Sequence, residues 1–269
     1  MDVTEVLPGL LYQFRFVVGQ AYLWRDTDSL TLIDAGPPGQ ADAITRAVGE
    51  LGLSLSGLRQ IILTHFHQDH VGSAAELAAR GGARVLAHRA DAPVIRGEMP
   101  GPPPAITPAE QALYQQIGAA ASHLPPAPPC RVDQELVSGD LIDLGGGAAV
   151  IGAPGHTDGS IAIHIPAQRL LFTGDSVATN RAGQVILGPF NVDRDQAIET
   201  FRALADLDMD TACFGHGDPV ATDASAALRT AVADQEAVPE EAVGQVDQDV
   251  QVGGGGQAPL VHAALQDGP

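Results

Sequence analysis

Residues 61–72 read Ile-Ile-Leu-Thr-His-Phe-His-Gln-Asp-His-Val-Gly, an apolar run that stops in three imidazoles and a carboxylate. Residues 61–63 are too few and too β-branched for a helix, so they read as a buried strand. Residues 64–69 then form the loop leaving its C-terminal end. Such a cluster of donors suits a divalent cation. With nine His and 23 Asp in 269 residues, chance would supply the pattern H-x-H-x-D-H in about one chain per thousand. His65 and His67 are two apart and can bend toward one cation. Asp69 and His70 are adjacent and can face a second. Residues 71–80 follow as a predicted helix, closed by Gly81 and Gly82.

Three later apolar runs end in the same way. Residues 148–151 lead into Gly-Ala-Pro-Gly-His156-Thr-Asp-Gly-Ser, residues 170–173 into Gly174-Asp175, and residues 211–214 into Gly215-His216-Gly217. Four strands therefore deliver His or Asp at their C-terminal ends, beside Gly or Pro that permit tight turns. Loops that converge on one rim are how sheet-based folds build sites.

These residues and their order resemble the metallo-β-lactamase-fold hydrolases. The motifs stand as Asp34 in Leu32-Ile33-Asp34-Ala35-Gly36, the 65–70 cluster, His156, Asp175 and His216, and the likeness spans about residues 5–230. The resemblance implies an α/β (α+β) fold, the four-layer αβ/βα sandwich, with a binuclear site. It implies that His65, His67 and His156 hold one metal, that Asp69, His70 and His216 hold the other, and that Asp175 bridges them. The cofactors it implies are two Zn2+, with Mn2+ or Fe as alternatives. Asp34 is either a supporting residue that orients a ligand or a plain turn residue.

Activity follows from the same likeness. A metal-bridging hydroxide would attack a carbonyl carbon, with Asp69 as the catalytic residue that orients the nucleophile and passes its proton to the leaving group. Having both His70 and Asp175 argues against a dedicated β-lactamase. The glyoxalase II-like (hydroxyacylglutathione hydrolase-like) group is the best match, yet the segment after Asp175 is Ser-Val-Ala-Thr-Asn-Arg181-Ala-Gly, not the glutathione-gripping sequence of that group. Ala178 stands where acyl-homoserine lactonases place a Tyr. The expected reaction is hydrolysis of a small-molecule thioester, ester or lactone. Two other classes stay open: an iron persulfide dioxygenase using the equivalents of His65, His156 and Asp175, and a non-catalytic metal-binding protein.

Charge and composition narrow the partners. Net charge is −19, all 14 basic residues are Arg, and no basic stripe exists to hold a phosphate backbone, so nucleic acid is not expected. No run approaches the roughly 20 apolar residues of a membrane span. The first residues lack a basic leader, and Cys130 and Cys213 have no metal or redox spacing, so free thiols in the cytoplasm are expected. A homodimer is allowed.

The chain divides into a fold domain at 1–232 and an acidic, Gly-containing tail at 233–269, expected to be disordered. Strands are predicted at 10–18, 21–24, 30–33 and 84–88, and helices at 40–51 and 193–207. A proline-rich insertion at about 91–131 carries a helix predicted over 107–124, with Thr107 as N-cap and Pro108 at its first position. It is expected near the site mouth, with a surface excursion as the alternative. Alternation puts His164 opposite the isoleucines of 161–165.

Overall fold

The computed structural model describes residues 1–237. Strands β1 (Asp2–Leu7), β2 (Leu11–Arg15), β3 (Gln20–Arg25), β4 (Leu30–Ile33), β5 (Leu58–Leu63), β6 (Arg84–His88) and β7 (Gln134–Leu136) form one sheet in chain order. Pairing is antiparallel through β4 and parallel from β4 to β7. The switch follows from the connections, because helices α1 (Ala41–Glu50), α2 (Gln68–Val71), α3 (Ala74–Gly81) and α4 (Ala92–Ile95) lie between the parallel strands.

The helix α5 (Gln111–Ala121) lies between α4 and β7. A second sheet runs in the order β14-β11-β10-β9-β8, from β8 (Leu141–Ile142), β9 (Ala148–Gly152), β10 (Ile161–Ile165), β11 (Leu170–Phe172) and β14 (Thr211–Cys213). Between β11 and β14 come a small hairpin, β12 (Val177–Thr179) with β13 (Val185–Leu187), and the helix α6 (Arg194–Ala205). The helix α7 (Ala224–Ala237) follows β14.

Period-two alternation assigns the layers. Ile61 and Leu63 face a core shared with α1 and α3, while Ile62 between them faces the second sheet. On β10, Ile161, Ile163 and Ile165 fill the inter-sheet core, and Ala162 turns outward to α6 and α7. Three apolar cores thus separate four layers, helices outside and sheets inside. Each Ile or Leu so buried contributes about 1.5–3 kcal/mol. His164 lies on the Ala162 face, half-buried, with Nε2 3.3 Å from the Asp208 carbonyl.

Several sequence boundaries shift. The helix expected over 71–80 is two pieces, α2 and α3, broken at Gly72 and Ser73, and α2 already includes Asp69 and His70. A Cβ on Gly72 would overlap Pro38, so the break seats this segment against that loop. The helix expected over 107–124 is shorter. Thr107 and Glu110 cap each other, Thr107 N donating to Glu110 Oε2 at 2.9 Å and Glu110 N to Thr107 Oγ1 at 3.3 Å. That box closes a turn that leads into α5, and the Glu110 carboxylate also accepts from Phe190 N at 3.1 Å. The insertion's bounds shift too: Asp91, Ile95 and Cys130 are buried, so the excursion lies within them. Helix α7 passes the tail boundary expected at 232, and the rest of that tail lies outside the described residues. Among the described residues, no helix is long and apolar enough to cross a membrane.

Replacing Ile62, fully buried between the sheets, with Ala should cost about 2–5 kcal/mol in urea denaturation. Replacing Leu141, 78% exposed, should stay within about 0.5 kcal/mol. Equal effects would contradict the layer assignment.

Candidate metal centre

The seven residues come together at the C-terminal ends of β5, β9, β11 and β14 in two groups. His65, His67, His156 and Asp175 form one; Asp69, His70 and His216 form the other; the donor atoms of each group lie within 4.8 Å of one another. In the first group His65 Nε2 is 3.0 Å from His67 Nδ1, and His156 Nε2 is 2.9 Å from the same atom. Asp175 stands between the groups. Its Oδ2 is 3.8 Å from His65, 3.5 Å from His156 and 3.2 Å from His216, and its Oδ1 is 3.3 Å from His70 Nε2. Asp69 Oδ2 lies 3.2 Å from His216 and 3.6 Å from His70. A Cβ on Gly215 would overlap the Asp175 carboxylate, so the turn before His216 needs glycine.

Asp34 takes the supporting role. Its Oδ1 accepts from Thr64 N at 2.8 Å, and its Oδ2 lies 2.8 Å from both Thr64 Oγ1 and His70 Nδ1. Bonding at Nδ1 fixes the His70 tautomer and aims Nε2 inward. Asp34 adopts φ 58°, a left-handed strain held by these bonds. Sequence reasoning missed the matching support under His216. Gln20 Nε2 donates to Phe214 O at 2.6 Å and to Gly217 O at 2.9 Å, and Tyr22 Oη donates to Phe214 O at 2.8 Å. A Gln on a strand flanked by apolar residues was the available signal.

The donor set fits a cation. A neutral imidazole carries one N–H, so hydrogen bonds alone cannot satisfy three converging ring nitrogens. Among the described residues, His70 Nε2 and Asp175 Oδ1 are buried and form no well-aligned hydrogen bond, facing each other only as an ion pair at 3.3 Å. Burial pushes His65 and His67 down, and His156 to about 3. The second group differs. Burial is the largest influence and opposes the shift, but the carboxylates together outweigh it: Asp175, Asp69 and Asp34 raise His70 well above the usual histidine range, and Asp175 and Asp69 raise His216 to about 10. Burial would likewise raise Asp69 and Asp175, yet His70 and His216 hold both carboxyls below their usual range.

His67 and His216 are half-buried and open outward. A cleft of about 320 Å³ beside His216 is walled by Phe16, Val17, Val18, Ile117 and Arg181. Ile117 belongs to α5, so the insertion reaches the site mouth. Tyr114 of the same helix packs edge-on against Phe190, with ring centroids 5.3 Å apart.

Residues 15–216 match the model of the metallo-beta-lactamase superfamily. A hydroxyacylglutathione hydrolase of Cereibacter sphaeroides is 33% identical over 212 residues, covering 78% of this chain and 64% of that protein. This chain therefore spans under two thirds of that relative's length. A probable metallo-hydrolase of Bacillus subtilis, YflN, is 29% identical over 209 residues, covering 71% and 76% of the two chains. The crystal structure of a metallo-beta-lactamase family protein from Thermus thermophilus superposes with TM-score 0.63 at 24% identity, over 87% of this chain and 81% of that one.

Cation loading should separate the groups by pH. At neutral pH the first group's imidazoles are already neutral, whereas His70 and His216 hold an extra proton that a cation must displace. Affinity at the second group should fall as pH falls, by about tenfold per pH unit for each proton released. First-group affinity should stay flat from pH 8 to 6. Calorimetric titration in buffers of different ionisation enthalpy measures this, and identical pH slopes for both cations would refute it.

Proposed function

This chain belongs to the metallo-beta-lactamase superfamily, and on that footing we propose that it is a hydrolase holding two divalent cations. We assign zinc to both positions. The substrate is a small-molecule thioester, ester or lactone. The observation that carries the reading is Asp175, whose carboxylate reaches both groups: Oδ2 lies 3.5 Å from His156 and 3.2 Å from His216, and Oδ1 lies 3.3 Å from His70. The complete second group favours two cations over the single iron of a dioxygenase.

His65, His67 and His156 would hold one cation, Asp69, His70 and His216 the other, and Asp175 both. When bound, the cations supply an acidified water and a Lewis acid for the scissile carbonyl. Asp69 faces both imidazoles through Oδ2. Its Oδ1 is the atom we assign to orienting the attacking water and passing the proton to the leaving group. Asp34 and the Gln20–Tyr22 bonds hold His70 and His216 in place during the step.

The walls of the cleft support a small molecule as substrate. Phe16, Val17, Val18 and Ile117 offer it an apolar surface. Arg181, exposed at the rim, would take a carboxylate on it. A net charge of −19 disfavours nucleic acid. We place the protein in the cytoplasm on its two free, buried thiols.

The test is metal content per chain in protein purified without chelators, with turnover of thioester, lactone and ester panels. About two zinc per chain with hydrolysis is expected; a single iron with oxygen uptake would replace this reading by a dioxygenase. Asp69→Asn should cut kcat by about 10²–10⁴-fold while keeping most of the second cation. Parallel loss of cation and turnover would remove the proton-carrying role.

A further inference from the structure

Asp91 belongs to neither group of metal donors, and no step of the reaction uses it. It is 2% exposed, follows β6, and stands as the N-cap residue of α4, where its side chain makes no capping bond. Its carboxylate faces instead two loops that come from different sheets. Oδ2 accepts from Phe66 N at 3.0 Å, between His65 and His67 in sequence. The same oxygen accepts from Thr157 Oγ1 at 2.7 Å, next to His156. Oδ1 accepts from Gly159 N at 2.8 Å. A Cβ on Gly159 would overlap that carboxylate, so this close approach depends on glycine. Thr157 is braced in turn, its N–H donating to Ser160 Oγ at 3.0 Å.

We infer that Asp91 is a positioning residue for the proposed first cation, clamping the His65–His67 loop to the His156 loop. The contact that brings the loops together at the site is the 2.9 Å approach of His156 Nε2 to His67 Nδ1. One backbone bond, Ile161 N to Thr64 O at 2.9 Å, joins the loops nearer the strands. Beyond it, Asp91 receives a donor from the His67 side on Oδ2 and from the His156 side on both oxygens. A carboxylate can accept on both oxygens at once. An amide cannot: Asn would turn an NH2 toward either Gly159 N–H or the Phe66 and Thr157 donors. The inference rests on the first group holding a cation, and it concerns how tightly.

Asp91→Asn, Asp91→Ala and Thr157→Val test it by titrating the metal-free full chain with Co2+ against a competing chelator. Visible absorption follows each site, and melting of the metal-free protein runs alongside. Asp91→Asn is expected to weaken the first cation by about 10–100-fold, alter its absorption band and leave the second cation's affinity unchanged. Thr157→Val, which removes one of three bonds, should give a smaller loss of the same kind. A drop in metal-free melting temperature with both affinities unchanged, or an equal loss at both sites, would overturn the inference and leave Asp91 a folding residue. If Asp91→Asn fails to fold, an unchanged first affinity in Thr157→Val overturns it. Wild-type protein that binds no Co2+ at the first group would remove the metal reading itself, a result distinct from either.

Discussion

Three ring nitrogens, from His65, His67 and His156, meet at separations of 3.0 and 2.9 Å. Each neutral ring has one proton to give, and burial keeps the rings neutral. His67 Nδ1 has one lone pair or one proton to offer its two neighbours, so hydrogen bonds alone cannot satisfy all three nitrogens, whereas a cation among them could. The sandwich must therefore hold its strand ends in an arrangement that hydrogen bonds among the rings do not fix. The supports around the site are the means: Asp34 under His70, Gln20 and Tyr22 under the His216 turn, and Asp91 across the loops of the first group.

Those supports share one physical form. Each is a polar side chain, buried among apolar layers, whose partners include backbone groups, a threonine hydroxyl or a ring nitrogen of the site loops. Leaving such a group unpaired costs about 1–3 kcal/mol, so each fixes its loop by the penalty of losing it. The two sheets supply stiffness, and the polar side chains convert it into position. The electrostatics divide accordingly. The first group is made of neutral rings that present lone pairs. The second balances the carboxylates of Asp69 and Asp175 with protons on His70 and His216.

Much of this was legible in the sequence because local pattern and layer coincide. Ile161, Ile163 and Ile165 alternate with Ala162 and His164, and the structure puts the isoleucines in one core and Ala162 in another. The H-x-H-x-D-H cluster and the three later strand ends named the seven residues that the fold gathers into two groups. Other features depend on distance in the chain. Asp91 looks like a helix cap, and its partner Gly159 is 68 residues away. Gln20 and Tyr22 meet Phe214 only when the second sheet closes on the first. Strand β1 is an exposed edge, so its burial pattern carries little signal. The start of α5 differs from the expected Thr107 because the capping box of Thr107 and Glu110 encloses a turn that precedes the regular helix.

The proline-rich excursion between α4 and β7 leaves and returns through a narrow neck, where Cys130 N donates to Ile95 O at 2.9 Å. A segment tied at its neck can change length or composition without reopening the sheets, since added loop length costs little. Its helix forms one wall of the cleft, while the donors lie on strand ends outside it. Evolution could thus exchange the wall and keep the centre, and an engineer could graft a different excursion onto the same neck to alter substrate range.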